Sequence, residues 1–355
     1  MNVLSLFDGM SVAQQALKEL NIKVDTYYAS EIDKYSIAVT QSNFPNTIQL
    51  GDVVGLKLNE DIDLMIGGSP CQDLSIAKKN REGLKGQRSG LFYEYVRIRD
   101  EVKPKYFILE NVNSMPKEAK EQISEILGVQ PIMINASLVS AQNRKRLFWV
   151  GKWNGEKYEQ VEMSLPEDKG ILLKDILEEN VDEKYYINPK NIVSQSERFI
   201  QWDASGKGYN SQQDRAYTEL GKSPTVPFHG ASSKMNVILN KNETEKLKSN
   251  SMVAIKSNYN NTLKYDKTNT LGSNSQCPTA KTGQELLDFE KQTIRKLTPI
   301  ETLRLQSMPD NYFDNATTTR GKSNKKHPIS NTQRYKMCGN AFNCEVVKHI
   351  INNLK

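Results

Sequence analysis

Three histidines and four cysteines in 355 residues leave little material for a metal centre or a disulfide framework. The cysteines are Cys71, Cys277, Cys338 and Cys344, and no two have C-x-x-C spacing. No metal site is expected, and each cysteine should be a free thiol. Cys277, Cys338 and Cys344 read as small buried hydrophobes; Cys71 stands in a different context. No apolar run approaches the roughly 18 residues of a membrane span. Met1–Phe7 lacks the basic leader and the length of a signal peptide, and reads as a core strand that begins at once. An intracellular, cytoplasmic protein is the expectation. G-x-G-x-x-G is also missing, which disfavours a dinucleotide pyrophosphate, and no internal repeat is visible.

What is present fits a packed globular chain: 37% of residues are hydrophobic and 25% charged. The length suits one large and one small domain. Residues 1–150 alternate apolar runs with amphipathic segments. Val3–Phe7, Thr26–Ala29, Ile48–Leu50, Leu64–Ile66, Tyr106–Leu109, Ile132–Ile134 and Leu147–Val150 read as strands. Ser11–Leu20, Ser36–Phe44, Leu91–Val102 and Lys117–Leu127 read as helices between them. This alternation predicts an α/β, doubly wound, mostly parallel sheet. Leu147–Val150 has no crossover helix before it and is expected as an antiparallel edge. Ile171–Glu179 reads as one more short helix. Residues 188–285 are polar and irregular, with scattered aromatics and apolar clusters at Val237–Leu239, Met252–Ile255 and Leu286–Phe289. They fit a loop-rich small domain better than a structureless insertion. Leu297-Thr298-Pro299-Ile300-Glu301 is a capping box with Pro at the first helical position. Ala341–Leu354 closes the chain as an amphipathic helix. The boundaries expected are 1–185, 186–292 and a C-terminal segment, 293–355, that completes the first domain.

The strand ends carry the chemistry, because ligands of doubly wound sheets sit beyond the carboxyl ends of the strands. Strand one runs into Phe7-Asp8-Gly9-Met10-Ser11, where Gly9 lets a ligand approach the backbone. Glu31 follows strand two, where an acid bonds ribose hydroxyls. Asp52 follows strand three and could accept from an adenine amino group. Glycine, acid and acid at successive strand ends fit a nucleoside cofactor without phosphates, such as S-adenosylmethionine; helix capping is the plainer role for the two acids. Strand four ends in Gly68-Ser69-Pro70-Cys71-Gln72. A cysteine there, before a basic loop, is placed as a thiolate nucleophile. Strand five ends in Glu110-Asn111-Val112, which would bring a protonatable carboxyl beside Cys71. Gln142, Arg144 and Arg146 share one face of an extended segment and suit a phosphate and a base carbonyl, unless they form only a basic edge strand.

Net charge is only +6, but its distribution is uneven. Between Asn315 and Cys344 no acid interrupts Arg320, Lys322, Lys325, Lys326, Arg334 and Lys336, and Leu74–Tyr93 holds five cations against Glu82. Such runs suit a phosphate backbone, and equally a solvated loop.

The order FDG, E, D, PCQ, ENV, QxRxR, then RKLTPIExLRLQ and GNA resembles the DNA cytosine-5 methyltransferase family, over about residues 1–150 and 294–355. The irregular middle resembles that family's target-recognition region. SLFDG and ASEID are also similar to the eukaryotic de novo branch, although the absence of a chromatin-reading domain points to a bacterial or phage enzyme. The resemblance implies S-adenosylmethionine as cofactor and double-stranded DNA as partner, with no membrane, a monomer, and room for a cognate restriction endonuclease. It implies that Cys71 attacks cytosine C6, that Glu110 meets N3, that Arg146 holds O2, and that Arg144 holds a phosphate or Glu110. The base must be flipped out of the duplex to be reached. Phe7, Asp8, Gly9, Met10, Glu31, Ile32, Asp52, Val53, Pro70, Leu91, Asn340 and Ala341 would line the cofactor pocket. Gln72, Ser75, Arg88 and Gln142 would serve the DNA side, with Ser75–Gly90 as a closing loop. Thr225 and Thr270, each followed by an aliphatic residue, are the candidates for the recognition region's Thr-Leu/Val pair. The family usually opens FAGxGG, and Asp8 departs from it.

Three other readings compete. An RNA (tRNA) cytosine-5 methyltransferase shares the motifs, but the long aromatic-studded segment favours duplex readout. An inactive DNA-binding homologue is disfavoured by the intact Cys71, Glu110 and Arg146. An NAD-linked oxidoreductase is disfavoured by the missing G-x-G-x-x-G and partner cysteine.

Overall fold

The computed structural model describes residues 1–69, 91–187, 192–195, 199–202, 215–226, 236–240, 292–319 and 325–354. Five parallel strands start the chain's main sheet: β1 (Asn2–Leu6), β2 (Thr26–Ser30), β3 (Ile48–Gln49), β4 (Leu64–Gly67) and β5 (Tyr106–Val112). With β6 (Pro131–Asn135), β8 (Lys145–Trp153) and β9 (Tyr158–Gln160), the order is β3-β2-β1-β4-β5-β8-β6, and β9 pairs with β8. The short β7 (Gln142–Asn143) precedes β8. Helices α1 (Val12–Glu19), α2 (Lys34–Asn43), α3 (Leu91–Val102) and α4 (Lys117–Leu127) supply the crossovers, and the doubly wound reading holds.

β8 is antiparallel to both β5 and β6, as the missing crossover implied. It is not an edge, however. β6 takes the edge and β8 inserts between β5 and β6. The reason is burial: Leu147, Phe148, Trp149 and Val150 are all inaccessible, so the strand is apolar on both faces. Period-2 alternation sorts the sheet's side chains into two cores. Val3, Ile66, Ile108, Phe148 and Val150 pack with α1 on one face. Leu4, Leu6, Met65, Phe107, Leu109 and Trp149 pack with α3 and α4 on the other. Trp149 is satisfied there by Ser124, whose Oγ accepts from Nε1 at 2.9 Å.

The second sheet has the order β10-β16-β15-β13-β12-β11: β10 (Tyr186–Ile187), β11 (Ile192–Gln195), β12 (Phe199–Trp202), β13 (Arg215–Thr218), β15 (Asn236–Asn240) and β16 (Gln292–Lys296). The middle of the chain therefore contains folded structure, with Val237–Leu239 inside β15. The Met252–Ile255 and Leu286–Phe289 clusters lie outside the described residues. β14 (Ser223–Pro224) leaves this region to pair in parallel with β7. A hairpin, β17 (Thr317–Thr319) with β18 (Lys326–Pro328), follows later.

The expected helix over Ile171–Glu179 is only a 3-10 turn, Leu173–Ile176. Its two apolar residues lie three apart and are both buried, which a single tight turn satisfies. α5 (Pro299–Leu305) has the full capping box: Thr298 Oγ1 accepts from Glu301 N at 3.2 Å and Glu301 accepts from Thr298 N at 2.8 Å. The closing helix is shorter than expected, and a helix that was not read precedes it. α6 (Asn331–Asn340) was hidden by its polar sequence; Tyr335 anchors it by donating to Leu297 O at 2.7 Å. α7 (Cys344–Asn352) lies against α1. Cys338 and Cys344 are free and buried, as read from the sequence; burial pushes the Cys338 thiol up to about 12.

Candidate active site

Two groups of residues meet the carboxyl edge of the main sheet. The first surrounds the β1–α1 turn. Gly9 has φ +61°, a conformation that favours glycine. Its N–H donates to Glu31 Oε2 at 2.8 Å. Glu31 Oε1 accepts from the backbone of Ile32 at 2.7 Å and Asp33 at 2.8 Å. On the neighbouring strand end, Ser30 Oγ donates to Gly51 O at 2.8 Å, and Asp52 accepts from Val54 N at 3.0 Å. Between these carboxylates two aliphatic side chains stand in water: Ile32 is 72% exposed and Val54 58%. Exposed aliphatics beside acids at adjacent strand ends suit an adenine face and ribose hydroxyls. Neither residue offers the cations a phosphate would need. The geometry thus fits S-adenosylmethionine.

Some expected pocket residues behave differently. Val53 is buried, and it is Val54 that faces outward. The Met10 side chain lies in the core, and only its carbonyl is engaged, by the Tyr312 hydroxyl at 2.6 Å. Asp8 does not face the pocket either. Its carboxylate accepts from the Tyr27 hydroxyl at 2.9 Å and from Ser11, inside the protein. Burial pushes this carboxyl up to about 6, against the pull of those hydroxyl donors. Phe7 and Leu91 are half-buried, Asn340 is exposed at the end of α6, and Ala341 is largely buried.

The second group lies on β5 and β8. Glu110 is paired in register with Phe148, so Arg146, two residues away on the same face, is its diagonal neighbour. Arg146 Nε reaches Glu110 Oε1 at 2.8 Å, with both side chains largely buried. The other carboxylate oxygen lies against Gly68: a Cβ there would be 2.9 Å from Glu110 Oε2 and 3.0 Å from the Phe342 ring. The end of β4, the β5 carboxyl and the segment after α6 therefore share one wall. Asn111 supports it from behind, donating to Ser69 O at 3.4 Å and Ser69 Oγ at 3.3 Å. A larger concavity, lined by Arg99 and Trp153, opens at the other end of β5 and holds none of these residues.

Arg144 is buried, and its Nη2 donates to Gly339 O at 3.3 Å and Ala341 O at 2.8 Å, which ties it to the C-terminal segment. Gln142, expected on the DNA side, is 0% exposed. Gln306 Nε2 donates to its side-chain Oε1 at 3.2 Å, and its strand pairs with Ser223. Thr225 is half-buried beside that pair, donating to Asn143 O at 2.9 Å. Pro70, Cys71, Gln72, Ser75, Arg88 and Thr270 lie outside the described residues. Sequence reading missed Gly68, Asn111 and Phe342 as site-building residues. Asn111 stood in view within Glu110-Asn111-Val112 and Gly68 within Gly68-Ser69-Pro70-Cys71-Gln72, but their role depends on contacts between separate strands. Among the described residues no cluster could hold a metal ion, and no helix is long and apolar enough to cross a membrane.

A doubly wound sheet that presents a nucleoside pocket and a paired acid and arginine at one edge defines a nucleoside-cofactor transferase. The comparisons narrow the class. The profile of the family described as "C-5 cytosine-specific DNA methylase" matches residues 1–355, and the chain belongs to that family. The family's methyl donor is S-adenosylmethionine. The chain is 26% identical to the orphan methyltransferase M.SPRI of Bacillus phage SPR, covering 100% of this chain and 97% of that one. It is 28% identical to the type II methyltransferase M1.ScrFI of Lactococcus lactis subsp. cremoris, covering 96% and 74%. The fold resembles the Dnmt2 methyltransferase of S. pombe, with TM-score 0.60, 17% identity and coverage of 100% and 98%. It also resembles an E. coli prophage-encoded DNA modification methyltransferase, with TM-score 0.55, 20% identity and coverage of 100% and 98%.

Proposed function

We propose that this chain methylates C5 of a cytosine flipped out of duplex DNA, through a covalent adduct between Cys71 and C6. The observation that carries the reading is the Glu110–Arg146 pair, held at 2.8 Å on the wall that Gly68 builds. Cys71 is three residues beyond Gly68 in the sequence. When bound, S-adenosylmethionine supplies a methyl group on a sulfonium. Gly9, Glu31, Ile32, Asp52 and Val54 would hold it.

The Cys71 thiolate adds to C6, and the electrons of the C5–C6 double bond move into the ring. Glu110 shares a proton with N3 as that charge develops, and Arg146 meets O2 with its remaining N–H groups. C5 thereby becomes nucleophilic enough to be methylated. A base then removes the C5 proton, and the Cys71–C6 bond breaks to restore the double bond. Arg146 serves twice here: it holds the carboxyl in place before the base arrives and neutralises the ring afterwards.

Residues 186–292 form the recognition region in this reading, and 293–355 return to complete the catalytic unit. Thr225, fixed to the strand that leads into Arg144 and Arg146, is the better placed of the two threonine candidates. Three of the relatives carry the name orphan methyltransferase, and we read this chain likewise as acting without a cognate restriction endonuclease. Incubation with tritiated S-adenosylmethionine tests the proposal. Label is expected in duplex DNA, and none with Cys71→Ser. Label in tRNA alone would replace the DNA reading with the RNA one.

A further inference from the structure

Asp8 departs from the family's usual opening, and its surroundings show what it does there. Three of the five residues from Phe7 to Ser11 have left-handed backbone: Phe7 at φ 56°, Gly9 at 61° and Ser11 at 58°. Two of them are not glycine, and their side chains are sterically disfavoured in that conformation. A turn of this kind persists only where its surroundings impose it. Here the imposing group is a carboxylate inside the turn. Asp8 is 7% exposed, yet it bridges Tyr27 of β2, at 2.9 Å, to Ser11 at the start of α1. From outside, Tyr312 holds Met10 O at 2.6 Å and Thr40 of α2 reaches Gly9 O at 3.5 Å. The next backbone N–H after Asp8, that of Gly9, is the one that donates to Glu31.

We propose that Asp8 is a positioning residue for the methyl donor: by bridging Tyr27 and Ser11 from within, its carboxylate holds Gly9 and Glu31 in the arrangement the donor needs, and its protonation loosens that arrangement. The inference rests on the donor pocket described above. The physical reason is donor counting. A carboxylate accepts from both hydroxyls at once. A protonated carboxyl brings a donor of its own, which must point at a hydroxyl already donating, so one of the pair turns away. Burial, with a smaller push from the nearby Glu31, brings this protonation to about pH 6. The titratable groups facing Asp8 are Glu31 from the loop after β2, Tyr27 from β2 and Tyr312 from the segment after α5. Burial pushes both tyrosines well above 10, so they keep their protons.

Isothermal titration of the full chain with S-adenosylhomocysteine, without DNA, at pH 5 to 8 tests this. Wild type should bind about tenfold more tightly at pH 8 than at pH 5. Asp8→Asn should bind about tenfold more weakly than wild type at pH 8, with no step near pH 6. Its melting temperature at pH 8 should equal or exceed wild type, since a buried charge is gone, whereas a purely structural role demands a lower one. Should Asp8→Asn not fold, Tyr27→Phe carries the test: weaker binding at pH 8 supports the inference and unchanged binding overturns it. Wild-type affinity for Asp8→Asn at pH 8, or a flat wild-type profile, overturns the inference and leaves the donor pocket standing. No binding by wild type at any pH removes both.

Discussion

Glu301 is the side chain whose loss should cost this protein most outside the reaction centre. It is 0% exposed, and its partner Arg295 is 1% exposed. Arg295 grips it with two bonds, Nη2 to Oε1 at 2.5 Å and Nη1 to Oε2 at 2.7 Å. The same carboxylate accepts from Thr298 N and from Glu178 N, both at 2.8 Å. One carboxylate thus joins β16 of the second sheet, the start of α5, and the segment after the 3-10 turn. Glu301→Gln keeps the shape and removes the charge. Its amide would present N–H groups to donors, and Arg295 would remain buried without a counter-charge. Removing one partner of a buried pair costs about 3–5 kcal/mol. At about 2 cal/mol/K of unfolding entropy per residue, a cooperative chain of this size would melt roughly 4–7 °C lower. Scanning calorimetry at pH 7 reads this directly. The double variant Arg295→Met/Glu301→Leu should recover the part due to the lone buried charge but not the part due to Thr298 N and Glu178 N, which leucine leaves without this acceptor. If Glu301→Gln melts within about 1 °C of wild type, the reasoning about an uncompensated buried charge is wrong.

Two further outcomes follow from the site. Asp8 has a folded-state carboxyl raised from 3.8 to about 6, so its contribution to stability is full below about pH 4 and is lost as pH rises through 6. Denaturant unfolding should therefore show the difference between Asp8→Asn and wild type shifting by about 3 kcal/mol in favour of asparagine between pH 4 and 7; a pH-independent difference would refute the linkage. Gly68→Ala puts a methyl 2.9 Å from Glu110 Oε2 and 3.0 Å from the Phe342 ring. Methyl transfer to DNA should fall at least about tenfold with circular dichroism unchanged, by displacement of the carboxyl from its productive position. Wild-type activity in that variant would mean that Glu110 works from another position.

Much was legible in the residue order because the forces concerned are local. Apolar spacing marked α3 and α4 with their observed bounds, since a helix shows its buried face every three or four residues. The Thr298–Glu301 capping box was readable because both partners lie within one turn. The strand-end residues Gly9, Glu31, Asp52 and Glu110 were legible because parallel strands deliver their carboxyl ends to one edge. Tertiary structure alone decided what depended on pairing between distant segments. β8 inserts between β5 and β6, and only that register sets Arg146 diagonal to Glu110. Gln142, Arg144 and Arg146 alternate alike in sequence, yet packing by Gln306, Ser223 and the α6–α7 junction buries the first two and leaves the third to meet the acid. Asp8 reads as a pocket residue by position, but its one-residue offset from Gly9 turns its side chain inward to Tyr27. Composition and periodicity settle which segments become strands and helices. The direction in which a polar side chain points depends on partners tens or hundreds of residues away, and no local pattern encodes that choice.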